Sequence, residues 1–151
     1  MGIGMKMNDA YDLQRFLDAQ NYIMDQVYLE LRNGRKTSHW MWFVFPQVKG
    51  LGHSDMARKF AIASADEGRA YLSHPLLGSR LRECTGLVNA VNGSTIEQIL
   101  GQTDAIKFRS SMTLFSYIAP AEKVFEDALT KYFGGQPDTA TLAFLESGEH
   151  G

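Results

Sequence analysis

The chain has a single cysteine, only four prolines, no excess of basic over acidic residues and no apolar run approaching 18 residues. Each shortage removes a class of protein. Cys84 alone cannot close an intramolecular disulfide, which excludes a small disulfide-stapled scaffold. Scarce proline beside 11% aromatic residues excludes a disordered, proline-rich binder. A formal net charge of −2, from 15 basic and 17 acidic residues, provides no global cationic field for phosphate-backbone binding, so no nucleic acid is expected as a partner. The four histidines, at positions 39, 53, 74 and 150, lack the H-x-x-x-H spacing of a helical metal site, and neither a metal nor a cofactor is expected. The absence of a long apolar segment speaks against a membrane span, and Met1 to Met7 has no signal-peptide apolar core, so a cytoplasmic protein is expected.

What the chain does have is apolar material. A hydrophobic fraction of 44% over 151 residues suits one compact domain. The expected domain covers residues 11–146, with 1–10 a disordered leader and 147–151 a flexible tail. From Leu13 to Leu31 the apolar residues recur at i, i+3, i+4, the stripe of one amphipathic helix that Asn33-Gly34 ends. Thr37 or Ser38 is placed to cap a short helix from Trp40 to Phe45 that Pro46 stops, although an apolar run this short fits an extended buried segment equally. Lys49 to His53 reads as a loop, and Ser54 as the cap of a helix through Met56, Phe60 and Ile62. Ser64 and Glu67 have capping-box spacing, as do Ser94 and Glu97. Pro75 sits at the first position of a helix striped by Leu77, Leu81, Cys84, Val88 and Val91. A helix from Thr103 or Asp104 to Ile118 is apolar on nearly every side and is expected to be central. A last pair carries Val124 to Tyr132 and then Leu142 and Leu145, with Asp138 as cap. No segment reads as a strand. The fold class is all-α, with seven or eight mostly short helices.

Two stretches stand out chemically. His39-Trp40-Met41-Trp42-Phe43-Val44-Phe45-Pro46-Gln47 holds both tryptophans of the chain. Rings this dense must be buried on more than one side, since each covers roughly 150–250 Å². Within the run, His39 is a candidate general base, and Trp42 and Gln47 are candidates to stack on and hydrogen-bond a planar ligand. The second stretch, Asp104 to Thr113, places six charged or hydroxyl side chains at the start of the most apolar helix. There Lys107, Arg109 and Ser111 are candidates for an anion pocket near a helix N-terminus, and Asp104 a candidate catalytic base. The plain structural alternative is that Asp104 caps the helix, Lys107 snorkels and the aromatics fill the core.

These stretches, together with Tyr71-Leu72-Ser73-His74-Pro75-Leu76-Leu77-Gly78-Ser79-Arg80-Leu81, resemble a family of small bacterial proteins of unknown function, over about Asp12 to Leu145. The resemblance implies an all-helical fold like that of a mycobacterial member, a right-handed superhelix in the manner of armadillo or HEAT repeats. It implies no established activity or catalytic residue. Genomes often label such proteins calpastatin, but a disordered protease inhibitor would be rich in charge and proline and poor in aromatics, the reverse of this chain. Two functions remain to be separated. One is a pocket for an anionic, nucleotide-like small molecule, binding or hydrolytic, between the aromatic run and the Asp104 helix. The other is a non-enzymatic module that takes a protein or peptide partner in the superhelix groove, with Trp40, Trp42 and Phe45 as its hot spot.

Overall fold

The computed structural model describes residues 9–150, and most of the expected leader lies outside them. Ten helices are present among the described residues: α1 (Gln14–Gln20), α2 (Met24–Arg32), α3 (Met41–Val44), α4 (Asp55–Lys59), α5 (Ala65–Ser73), α6 (Pro75–Ala90), α7 (Ile96–Leu100), α8 (Gln102–Ile118), α9 (Lys123–Phe133) and α10 (Thr139–His150). The only extended pairing described is one parallel bridge, Val48 with Ile62. None of these helices is long and apolar enough to cross a membrane.

The first stripe is two helices, which accounts for one of those beyond the expected seven or eight. The chain turns at 21–23, where the amide of Ile23 donates to the carbonyl of Gln20 at 2.9 Å. Gln20 fills the gap in the stripe: it is buried, and its amide donates to Phe43 O at 2.7 Å and Tyr71 Oη at 3.0 Å. The expected Ser54 helix ends at Lys59, and Ile62 joins the bridge instead. The second capping box is present one residue later than expected, with Thr95 and Gln98 as the reciprocal pair. The residues expected as a tail from position 147 continue α10 as far as His150.

α8 is the central element. It packs against α5, α7, α9 and α10 and buries Ala105, Phe108, Met112, Leu114 and Phe115. It is not buried all round, since Ile106 is 68% exposed. Rings run outward from it: Phe108 meets Phe45 edge-on at 5.0 Å, and Phe115 contacts Tyr71 and Phe125, each at 5.7 Å. Helices distant in sequence also touch, α2 with α6 and α5 with α10. In a solenoid each repeat meets only its neighbours. Along α6 Leu77, Leu81, Cys84 and Val88 are buried as expected, whereas Val91 lies just past the helix end and is half-buried; burial pushes the Cys84 thiol up to about 12.

The junction of α5 and α6 explains the glycine in His74-Pro75-Leu76-Leu77-Gly78. His74 caps α6 through Nδ1, which accepts from the amides of Leu76 and Leu77 at 3.1 and 3.3 Å, and Pro75 takes the first position, where no amide donor is needed. The turn is so tight that a Cβ on Gly78 would lie 2.0 Å from the carbonyl oxygen of Leu72. Backbone cannot swing aside as a side chain does. Gly78→Ala should therefore cost roughly 3 kcal/mol, the upper end of overpacking effects, read as a lower urea midpoint at unchanged slope. A wild-type midpoint would show that the junction opens freely.

Glu30, on α2, fixes the segment that follows. It is 3% exposed, and its carboxylate accepts from Gln26 Nε2 (2.8 Å), the Thr37 and Ser38 amides (2.7 and 3.0 Å), Ser38 Oγ (2.5 Å) and Trp40 Nε1 (3.0 Å). Thr37 and Ser38 thus bind a neighbouring helix instead of capping α3, whose start at Trp40 has no side-chain cap. Burial pushes the Glu30 carboxyl up, but the donors, led by the Ser38 hydroxyl, overcome it and hold the group at about 2. Because the folded value lies below the unfolded one, near 4.3, the associated stability is complete above about pH 5 and drains away as the pH falls toward 2. It amounts to on the order of 3 kcal/mol. Denaturation curves across that window should lose this slope in Glu30→Gln, which should also be less stable than wild type at pH 7. Equal slopes would mean that Glu30 titrates alike in both states.

Candidate functional site

The Glu30 contacts set where Lys36 and the aromatic run lie. The amide of Lys36 donates to Ile99 O of α7 at 2.7 Å, tying the strap between α2 and α3 to the helix that precedes α8. Gly101, at φ +93°, then turns the chain into α8, and the first turns of α8 come to face the strap. Lys36 Nζ lies 2.7 Å from Asp104 Oδ2, and Lys107 Nζ lies 3.7 Å from Asp104 Oδ1. Each ammonium also sits over a tryptophan, Lys36 5.2 Å from the Trp40 ring centre and Lys107 5.0 Å from that of Trp42. Asp104 is therefore a shared counter-ion whose shorter contact is to Lys36.

Beyond Trp42 the chain leaves α3, passes Pro46 and enters the bridge. The Lys49 amide donates to Ile62 O and the Ile62 amide to Gln47 O, both at 2.9 Å. This clamp closes the 49–61 segment into a loop that carries α4 back over Gln47. Gly52 lets the loop close, because a Cβ there would lie 2.7 Å from that of Ala57. Between loop and helix lies a groove of about 360 Å³, with Gln47, Lys49, Gly50 and Arg58 along its walls. Gln47 and Ala57 also border a narrow cleft of about 10 Å³, room for one water, whose other walls include Trp42 and Lys107. Among the described residues the ion pair of Arg58 is a long i, i+3 contact with Asp55, at 3.5 Å and largely exposed. Grooves of about 390 and 440 Å³ elsewhere, one at Ser64 to Asp66 and one between α8 and α9, contain none of Trp42, Gln47 and Lys107.

The site residues expected from sequence separate into two groups. Trp42, Gln47 and Lys107 meet at the cleft, with Asp104 beside Lys107. One face of Trp42 is taken by Lys107, so the ring holds the ammonium where a stacked ligand was expected. The others lie apart. His39 is exposed and is not among the residues lining groove or cleft. Arg109 is directed to the loop before α10, where Nε donates to Gln136 O at 2.9 Å and the guanidinium sits 5.6 Å from the Phe133 ring centre. Ser111 is fully buried, and its Oγ has no hydrogen-bond partner among the described residues. Trp40 and Phe45 are 0% and 1% exposed, which removes two of the three rings from any surface hot spot. No cluster of three His, Cys, Asp or Glu side chains fit to hold a metal ion occurs among the described residues.

Sequence reasoning passed over Lys49, Arg58 and Lys36. Lys49 and Arg58 come together only through the Val48–Ile62 bridge, and a two-residue pairing leaves no periodic trace in the sequence.

No curated protein matches the chain. A solved structure that does is the conserved hypothetical protein Rv1873 from Mycobacterium tuberculosis, with 52% identity, coverage of 91% of this chain and 99% of that one, and a TM-score of 0.90. The all-helical fold described above is thus shared with a mycobacterial relative. A family model described as a protein of unknown function, DUF1810, matches residues 10–145, nearly the whole described chain. On that match the chain belongs to the DUF1810 family.

Proposed function

We propose that this protein binds a small anionic metabolite in the groove between the 47–52 loop and α4, beside the narrow cleft that Lys107 lines and that shares Gln47 and Ala57 with it. The observation that carries this reading is the sign of the walls. Groove and cleft are lined by three cations, Lys49, Arg58 and Lys107, and by no carboxylate. In a chain with more acidic than basic residues, such a local excess concentrates anions. Its volume, about 360 Å³, falls at the lower end of the range for small-molecule sites, which suits a phosphate- or carboxylate-bearing metabolite and not a long polymer. Gln47, at the junction of groove and cleft, offers an amide to orient the ligand.

Binding is favoured over hydrolysis by the state of the two candidate bases. Asp104 is engaged by Lys36 at 2.7 Å, and His39 does not line the groove. A general base must come within hydrogen-bond reach of the proton it takes. The peptide-module alternative is weakened by the burial of Trp40 and Phe45, two of the three rings of its expected hot spot.

The test is a thermal-shift series with inorganic phosphate, pyrophosphate, a nucleoside monophosphate and a dicarboxylate, on wild type, Lys107→Met and Arg58→Ala. A ligand at 100 times its Kd adds about 2.7 kcal/mol, or roughly 5–10 °C for a domain of this size. At least one probe should give that rise in wild type, with most of it lost in both variants and the remainder reduced by salt. No rise with any probe, or an equal rise in the variants, overturns the anion reading.

A further inference from the structure

We infer that Lys36, which lines neither groove nor cleft, is a positioning residue that sets the charge at the cleft beside the groove by holding Asp104 on its own side, away from Lys107. The inference rests on the anion-binding reading and concerns how that site keeps its third cation. Three side chains form a row, Lys36, Asp104 and Lys107, with relative exposures of 8%, 18% and 22%. Two ammonium groups share one carboxylate, and the division is unequal. The more buried lysine makes the contact at hydrogen-bond length, 2.7 Å, and the lysine at the cleft stands off at 3.7 Å.

Physical reasons make the division stable. An ammonium buried as deeply as Lys36 needs a close counter-charge, whereas the more exposed Lys107 retains access to water. Lys36 cannot withdraw, because its own amide is bonded to Ile99 O and its ammonium rests on Trp40. Lys107 is held in turn by the Trp42 ring, on the far side of the aromatic turn. Each tryptophan therefore supports one of the two ammonium groups, which meet different oxygens of the carboxylate. With Asp104 neutralised by Lys36, the charge of Lys107 is left facing the cleft.

Remove Lys36 and the balance inverts. Asp104 and Lys107 are three apart on α8, a spacing at which a carboxylate and an ammonium pair directly. Asp104 then turns wholly to Lys107, and groove and cleft together keep two effective cations out of three. Asp104 thus acts as a carboxylate that can silence the site, and Lys36 as the group that restrains it.

The test is calorimetric titration of pyrophosphate into wild type, Lys36→Met, Lys36→Arg, Asp104→Asn and the Lys36→Met/Asp104→Asn double variant, each at two salt concentrations. Lys36→Met should raise Kd about tenfold, in line with one partly screened charge contact, and should flatten the salt dependence. Lys36→Arg should bind like wild type. The double variant should recover wild-type affinity to within about threefold, because the silencing carboxylate is gone. Asp104→Asn alone should bind at least as tightly as wild type, whereas a merely supporting Asp104 would lose affinity when changed, so this variant decides the matter even if Lys36→Met does not fold. Wild-type affinity in a folded Lys36→Met, no recovery in a folded double variant, or weaker binding by Asp104→Asn overturns the role of Lys36 and leaves the groove reading intact. Failure of wild type to bind pyrophosphate or any other anion overturns both.

Discussion

A carboxylate shut away from water persists as an anion only where protein donors replace its hydration shell, and Glu30 collects five. Four of them come from Thr37, Ser38 and Trp40, within a four-residue stretch. One buried charge thereby dictates the path of the strap from α2 into the aromatic run. The consequences propagate. The Trp40 indole is fixed by Glu30, its ring supports the Lys36 ammonium, and the run that follows enters the core in a single register, with Phe45 edge-on to Phe108 of the central helix. Because half-satisfied buried polar networks are costly, the arrangement tolerates little rearrangement.

The groove arises at the other end of the same run. Phe43, Val44, Phe45 and Val48 are committed to the core, and the chain leaves it at Lys49 and Gly50. The bridge between Val48 and Ile62 turns that exit into a wall and returns α4 above it. A rigid interior thus supports a loop-built concavity, the common division of labour between scaffold and site. The charge of the wall depends on residues from four places in the chain: Lys36 in the strap, Lys49 in the loop, Arg58 on α4, and Asp104 with Lys107 on α8.

Much of the fold was legible because helices advertise their faces and ends. Pro75 with the Leu77, Leu81, Cys84 and Val88 stripe located α6, Ser54 and Ser64 capped as expected, and the helix ending at Ile118 proved central. Periodicity states which face is buried, not what lies against it. That is why the first stripe read as one helix: Gln20 occupies its gap as a buried polar link to α3 and α5, which only the tertiary contacts disclose. The site was legible in part for the same reason. Trp42, Gln47 and Lys107 were recognisable by type and do converge. Ser111 falls on the flank of Lys107 by its spacing of four, and Arg109, two residues on, falls on another flank, since a step of two along a helix turns a side chain roughly to the opposite side. Arg109 accordingly reaches Gln136, and Ser111, although on the flank of Lys107, lies one turn deeper and is sealed. Tertiary features with no periodicity, such as the approach of Lys36 to Asp104 from a distant part of the chain, had no sequence signal at all.

The solitary thiol of Cys84 has one more implication. It is fully buried on the inner face of α6, and its acidity is suppressed to about 12, so almost none of it exists as the reactive thiolate at neutral pH. Alkylating reagents therefore meet this sulfur only in molecules whose helices have come apart. With no second cysteine to compete, the protein carries its own opening clock, in which the rate of covalent capture counts the excursions of α6 away from its neighbours.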